Sequence, residues 1–151
     1  MDRIDRKILA ELQGDGRQSL TDLAERVGLS LSPCHRRVRA LEEAGVIKGY
    51  RAHLSAPELG LNFSSLVFVT LREGHQQAVA DFEKALPSIP YIVQAQRLFG
   101  DPDYLLMVVT ADLPAFQKLY DDELSRLPNV QRLTSTLVMK DVITDRLLPL
   151  E

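Results

Sequence analysis

Between Ile4 and Leu41 the apolar side chains fall into three short runs at helical spacing, cut apart by glycine, so this stretch can fold only as a small helical cluster. Ile4, Ile8, Leu9 and Leu12 form one stripe, which Gly14-Asp15-Gly16 ends. Ser19, with Asp22 three residues on, makes a capping-box-like start for a second run, Leu20, Leu23, Ala24 and Val27, and Gly28 closes it. A third helix is expected to open at Ser32-Pro33, serine as N-cap and proline at the first helical position, where its missing N–H costs nothing. Its inner stripe is Cys34, Val38 and Leu41, and Ala44-Gly45 ends it. The tight Gly28-Leu29-Ser30 turn between the last two helices makes a helix-turn-helix pattern.

At 3.6 residues per turn the third helix has a second face, opposite the apolar one. Ser32, Arg36, Arg39 and Glu43 lie there, with His35 on one flank and Arg37 nearer the core boundary. Two arginines and a hydroxyl early in a helix suit the major groove, because a guanidinium can hold guanine O6 and N7 together or grip a phosphate. Ser32 can bond a phosphate oxygen, and Lys48 and Arg51 can add backbone contacts. Charge is distributed to match. The chain's net charge is −3, yet residues 30–51 hold five basic and two acidic side chains, or +3. A charged helix face by itself is usually only solvated; the preceding helix and the turn are what point this one to double-stranded DNA.

From Val46 the pattern changes. Residues 46–54 read as a strand or connector, and residues 55–62, Ser-Ala-Pro-Glu-Leu-Gly at their start, as a linker between domains 1–54 and 63–151. Strands are expected near Ser65–Leu71, Tyr91–Leu98, Tyr104–Thr110 and Val130–Met139, with helices near Gln76–Leu86 and Leu113–Leu127. The order βαββαβ is ferredoxin-like, so the chain is α+β: a winged-type helix-turn-helix followed by a ferredoxin-like domain. Leu66-Val67-Phe68-Val69 and Leu105-Leu106-Met107-Val108-Val109 are apolar on both faces. Helices can cover one side of such a sheet. A second copy of the sheet would cover the other economically, as a symmetric dimer; the alternative is that the N-terminal domain or the C-terminal tail packs there.

The 151 residues suit two small domains, and no run approaches the roughly 18 unbroken apolar residues of a membrane span. The charged start, Met1-Asp2-Arg3-Ile4-Asp5-Arg6-Lys7, lacks a signal-peptide core, so a cytoplasmic protein without a membrane partner is expected. One cysteine allows no internal disulfide, and Cys34 falls on a core face. There is no His/Cys/carboxylate cluster at metal spacing, no phosphate-binding loop and no Gly-x-Gly-x-x-Gly, which argues against an enzyme and against any metal or cofactor.

Several segments together resemble the Lrp/AsnC, or feast/famine, family of transcription regulators. They are Asp2-Arg3-Ile4-Asp5-Arg6-Lys7-Ile8-Leu9, the run from Leu20 to Ser30, the run from Ser32 to Ile47, and Gly100-Asp101-Pro102-Asp103-Tyr104-Leu105-Leu106. The resemblance spans the whole chain. The candidate DNA contacts are Ser30, Ser32, Pro33, His35, Arg36, Arg37, Arg39, Lys48 and Arg51. The resemblance implies a dimerising effector domain, often assembled into octamers, with an amino acid or related metabolite as effector. The effector loop would be Gly100, Asp101, Pro102 and Asp103, running into Tyr104, with last-strand hydroxyls at Thr134, Ser135 and Thr136. Thr134 and Thr136 are two apart and share one face of a strand. The family's loop often carries an aromatic where this chain has Pro102, which offers no backbone N–H. An architectural DNA-binding protein that senses nothing would share the N-terminal features.

Overall fold

The computed structural model describes residues 1–150, which form two compact units. The first comprises Met1–His53 together with residues 142–150; the second is Leu54–Asp141.

In the first unit three α-helices, α1 (Arg3–Gly14), α2 (Leu20–Val27) and α3 (Leu31–Glu43), enclose a core of Ile8, Leu9, Leu23, Ala24, Val27, Cys34, Val38 and Leu41. These are the stripes read from the periodicity. Gly28 caps α2 at φ 75°, a left-handed conformation that a Cβ would strain, and the turn 28–30 passes directly into α3. Cys34 is fully buried, and burial pushes its thiol up, so it stays protonated as a small core side chain.

Three local readings need correction. The third helix starts at Leu31, with Ser30 at its N-cap and no side-chain cap bond, so Ser32 and Pro33 lie inside the first turn. Residues 46–54 contain no strand; after α3 the backbone turns at Gly45, φ 68°, and runs on irregularly. Residues 142–150 belong to the first unit, not to the second domain, because Leu150 packs against the helical core.

A capping arrangement not read from the sequence ties α1 to α3. The Asp2 carboxylate accepts from the N–H groups of Ile4 and Asp5, both at 2.9 Å, and the Asp5 carboxylate accepts from the Asp2 N–H at 2.9 Å. Arg37 donates to both carboxylates at 2.7 Å. The Asp5 N–H and the Arg37 guanidinium hold the Asp2 carboxyl below its ordinary value. A lowered carboxyl pKa stabilises the fold above its unfolded value and ceases to do so as pH falls through the folded one. Arg37→Ala is therefore expected to lower the thermal midpoint at neutral pH, and the gap to the parent chain should close on acidification. A pH series of melting curves checks this; a gap independent of pH would contradict it.

The second unit is an antiparallel sheet of four strands, β1 (Phe63–Leu71), β2 (Ile92–Arg97), β3 (Tyr104–Thr110) and β4 (Val130–Leu137), in the order β2-β3-β1-β4. Helices α4 (Gln76–Ala85) and α5 (Leu113–Asp122) pack on one face. The expected βαββαβ order is present; α5 stops short of Leu127 because the chain tightens into a 3₁₀ turn at Leu124–Arg126. Val67, Val69, Leu106 and Val108 are buried against the helices, and Phe82 of α4 packs on Tyr104 with ring centroids 4.7 Å apart. Strand side chains alternate. Leu66, Phe68, Leu105 and Met107 therefore share the other face, where all four are only half-buried.

Candidate nucleic-acid interface and effector loop

Because Cys34, Val38 and Leu41 anchor α3 in the core, its opposite side carries Ser32, Arg36 and Arg39, all exposed, with exposed His35 beside them. Among the described residues neither Arg36 nor Arg39 has an ion-pair partner, so both guanidiniums project from the helix uncommitted. Ser30, Lys48 and Arg51 are exposed as well, and Pro33 is half-buried in the first turn. Arg37 is the exception among the expected contacts: it is held at 2.7 Å by both Asp2 and Asp5, and its place is that of a clasp between helices. Glu42 does not face out freely either, since the Tyr50 hydroxyl donates to it at 3.1 Å.

Starting α3 at Leu31 also reveals a residue that the sequence reading missed. Leu31 is 51% exposed and is the one large apolar side chain of α3 left in solvent. The signal was the Ser30-Leu31-Ser32 sequence: with Ser30 capping, the leucine enters the helix at its very tip.

In the second unit the loop between β2 and β3 is closed by main-chain bonds. Leu98 donates to the carbonyl of Asp103 at 2.8 Å, and Asp103 donates to that of Val69 at 2.9 Å. The Asp103 side chain then accepts from the Leu71 N–H at 2.7 Å, continuing the β1–β3 pairing through a carboxylate. Asp103 thus anchors the loop through its Oδ2. Gly100 sits at φ 139°, a value L residues avoid. Tyr104, also expected at the site, points the other way: it is 2% exposed on the helix-covered face and donates to Glu83 at 2.6 Å. Burial and that carboxylate push its phenol up to about 12, so it remains a donor.

What the loop does present is Asp101. It is exposed, lies 3.4 Å from the Thr70 hydroxyl and 3.7 Å from the Arg132 guanidinium, and Arg132 reaches Thr70 at 3.4 Å. Register carries this cluster onto the open face. Thr70 pairs with Arg132, Phe68 with Thr134, and Leu66 with Thr136, so the two threonines share that face with the apolar patch. Ser135 pairs with Val67 and is turned to the opposite side. Asp101, Arg132 and Thr134 thus bring a carboxylate, a guanidinium and a hydroxyl to one end of an apolar face; Pro102 is half-buried beside them. Arg132 had no signal in the sequence, because its partner lies 31 positions away and only the β1–β4 register brings the two together.

No group of His, Cys, Asp and Glu among the described residues could hold a metal ion, and no helix is long and apolar enough to cross a membrane.

Comparison with known proteins matches both units to known families. Residues 1–48 match the winged helix-turn-helix DNA-binding family, and residues 64–148 match the Lrp/AsnC ligand binding domain. A leucine-responsive regulatory protein of Rhizobium meliloti is 42% identical over 142 residues, 94% of this chain and 91% of that protein. A Bkd operon transcriptional regulator of Pseudomonas aeruginosa is 41% identical, covering 95% and 94%. The fold superposes on a Neisseria meningitidis transcriptional regulator crystallised with L-methionine, with a TM-score of 0.93 and 36% identity over 99% of this chain and 97% of that one. Regulators of this kind are not enzymes. The chain belongs to the Lrp/AsnC family, and is a DNA-binding transcription regulator that joins a helix-turn-helix unit to an α+β ligand-binding unit.

Proposed function

We propose that α3 reads DNA in the major groove through Arg36 and Arg39, with Ser30, Ser32, Pro33, His35, Lys48 and Arg51 at its margins and Leu31 at its tip. The observation that carries this reading is the pair of exposed guanidiniums, without an ion-pair partner among the described residues, on the side of α3 away from its buried stripe. Leu31 suits apolar contact with a thymine methyl group. Two copies in a symmetric dimer would present two such helices to successive major grooves, about 34–36 Å apart. The protein works where chromosomal DNA lies, in the cytoplasm.

The second unit binds an amino acid or related metabolite on its open face. Asp101 offers an acceptor for an ammonium group, while Arg132 and Thr134 offer donors for a carboxylate. Leu66 and Phe68 beside them suit an apolar side chain. The relative crystallised with L-methionine supports an effector of this class. Because the site opens on the face that a second copy would cover, ligand and assembly are linked, whether as dimers or as octamers built from them.

Thermal shift against the twenty amino acids tests the reading. A ligand at about 100 times its dissociation constant stabilises by about 2.7 kcal/mol, which is readily seen. Asp101→Ala and Thr134→Ala are expected to abolish the shift and leave operator binding without ligand intact. A shift that survives both changes would move the pocket elsewhere, and no shift with any metabolite would favour an architectural DNA-binding protein.

A further inference from the structure

The chain passes between the two units twice, once after His53 and again after Asp141. The second passage follows β4 immediately. β4 is fastened at its end, where Val138 donates to the carbonyl of Ser64 at 3.0 Å. Beyond it, residues 142–150 form no helix or strand, yet they are held on the helix-turn-helix unit.

The hold has an unusual chemistry. The Gln13 amide accepts from the Leu148 N–H at 2.7 Å and donates to the Leu148 carbonyl at 3.2 Å. A primary amide carries one acceptor and adjacent donors, so it can pair with both main-chain groups of one residue as a strand neighbour would. Such a grip recognises backbone and is indifferent to the side chain. Leu150 then sets the position by packing on the helical core, and Asp145 meets His53 at 2.8 Å. A cavity of about 400 Å³ remains beneath, lined by Leu9, Leu12, Val46, Ile47 and Tyr50 along with the tail. Meanwhile Val142, Ile143, Leu147 and Leu148 keep more than half their surface in water, from 52% to 86%. A segment with main-chain bonds, one apolar anchor and little buried area belongs to the part of a fold that opens most easily.

The groove under the tail is also part of the support of α3. Val46 and Ile47 donate to the carbonyl of Leu41 at 3.0 and 3.1 Å, and the Tyr50 hydroxyl reaches Glu42. We propose that residues 142–150 are a releasable tether through which β4 bears on the DNA-reading helix, so that ligand bound beside Thr134 changes operator affinity by shifting the tail between docked and released states. This inference rests on the effector reading given above. Its physical basis is that one strand carries Arg132 and Thr134, proposed at the ligand, and leads from its last residue, Leu137, toward the docked segment. Any ligand that favours one setting of β4 then biases the docking equilibrium by its difference in affinity.

The test uses the full chain and two tail-release variants, Gln13→Ala and Leu150→Asp, neither of which touches the DNA face. Hydrogen exchange at the Leu148 amide reports docking directly; protection is expected in the parent chain and its loss in both variants. Operator binding is then titrated with and without L-methionine, L-leucine and the remaining amino acids. Couplings between sites are typically about 5- to 150-fold, and the parent chain is expected to respond within that range. Gln13→Ala, released with or without the amino acid, should bind the operator with one affinity in both conditions, shifted from that of the unliganded parent chain, and so lose most of the response. Should Leu150→Asp fail to fold, Gln13→Ala decides alone. An unprotected Leu148 amide in the parent chain overturns the proposal, as does a full response in a deprotected variant. If no amino acid changes operator affinity even in the parent chain, the effector reading fails and takes the tether with it; a response that survives Gln13→Ala sinks the tether alone.

Discussion

Replacing Arg36 and Arg39 together by alanine is expected to cost roughly 2–6 kcal/mol of operator binding for each helix engaged, at about 1–3 kcal/mol for each good guanidinium contact. The thermal midpoint should scarcely move, because both side chains are exposed and neither has an ion-pair partner among the described residues. The two arginines need not act alike. A residue that reads a base relaxes sequence preference at one position when it is removed, whereas one that grips phosphate weakens binding to all sequences and flattens the salt dependence. Single variants titrated at several salt concentrations separate these roles. Leu31 adds a sharper probe: replacing thymine by uracil removes only the methyl group, so a loss of affinity seen with the parent chain and absent in Leu31→Ala would locate the leucine against that base. Arg37→Ala serves as the internal control. Its guanidinium is taken up by Asp2 and Asp5, so its loss should appear in stability and not in base preference. Binding unchanged in the Arg36/Arg39 double variant would remove α3 from the interface.

For the proposed dimer through the open face of the sheet, Phe68→Asp is expected to yield monomers. Phe68 lies at the middle of β1 on the open face, flanked across the ladder by Leu105 on one side and Thr134 on the other. In the separate chain a carboxylate there is tolerable, since the position is only half-buried. In a symmetric dimer the same substitution enters twice, and each uncompensated buried charge costs about 3–5 kcal/mol. Together they raise the dimer dissociation constant by at least four orders of magnitude, at about 1.4 kcal/mol for each. Light scattering shows the change in mass, and circular dichroism shows that the sheet persists. Retention of the parent mass would mean that copies associate elsewhere. Operator affinity should fall in parallel, because a monomer presents one recognition helix where a dimer presents two.

Local rules explain why so much of this architecture was legible in the order of residues. An amphipathic helix needs its stripe wherever it packs, and the stripes of Ile8-Leu9, Leu23-Val27 and Cys34-Val38-Leu41 survive unchanged as the buried core. Strands that are apolar on both faces announce that both faces will be used, and Leu66 and Phe68 do stand on a face the helices leave open. The glycine after α2 and the βαββαβ order are likewise near-neighbour features, visible without knowing what touches what.

Tertiary structure decided the remainder, and for one reason: it brings together residues far apart in the chain. Arg37 reads like its neighbours Arg36 and Arg39 until Asp2 and Asp5, more than thirty positions away, are found to hold it. Asp101 and Asp103 look equivalent in the loop, yet one reaches into solvent beside Arg132 while the other completes a strand pairing. The tail carries no periodicity at all, so only folding reveals that it returns to Gln13. A stripe records which face of an element turns inward. The partner that each polar group finds depends on register and packing, which no single segment contains.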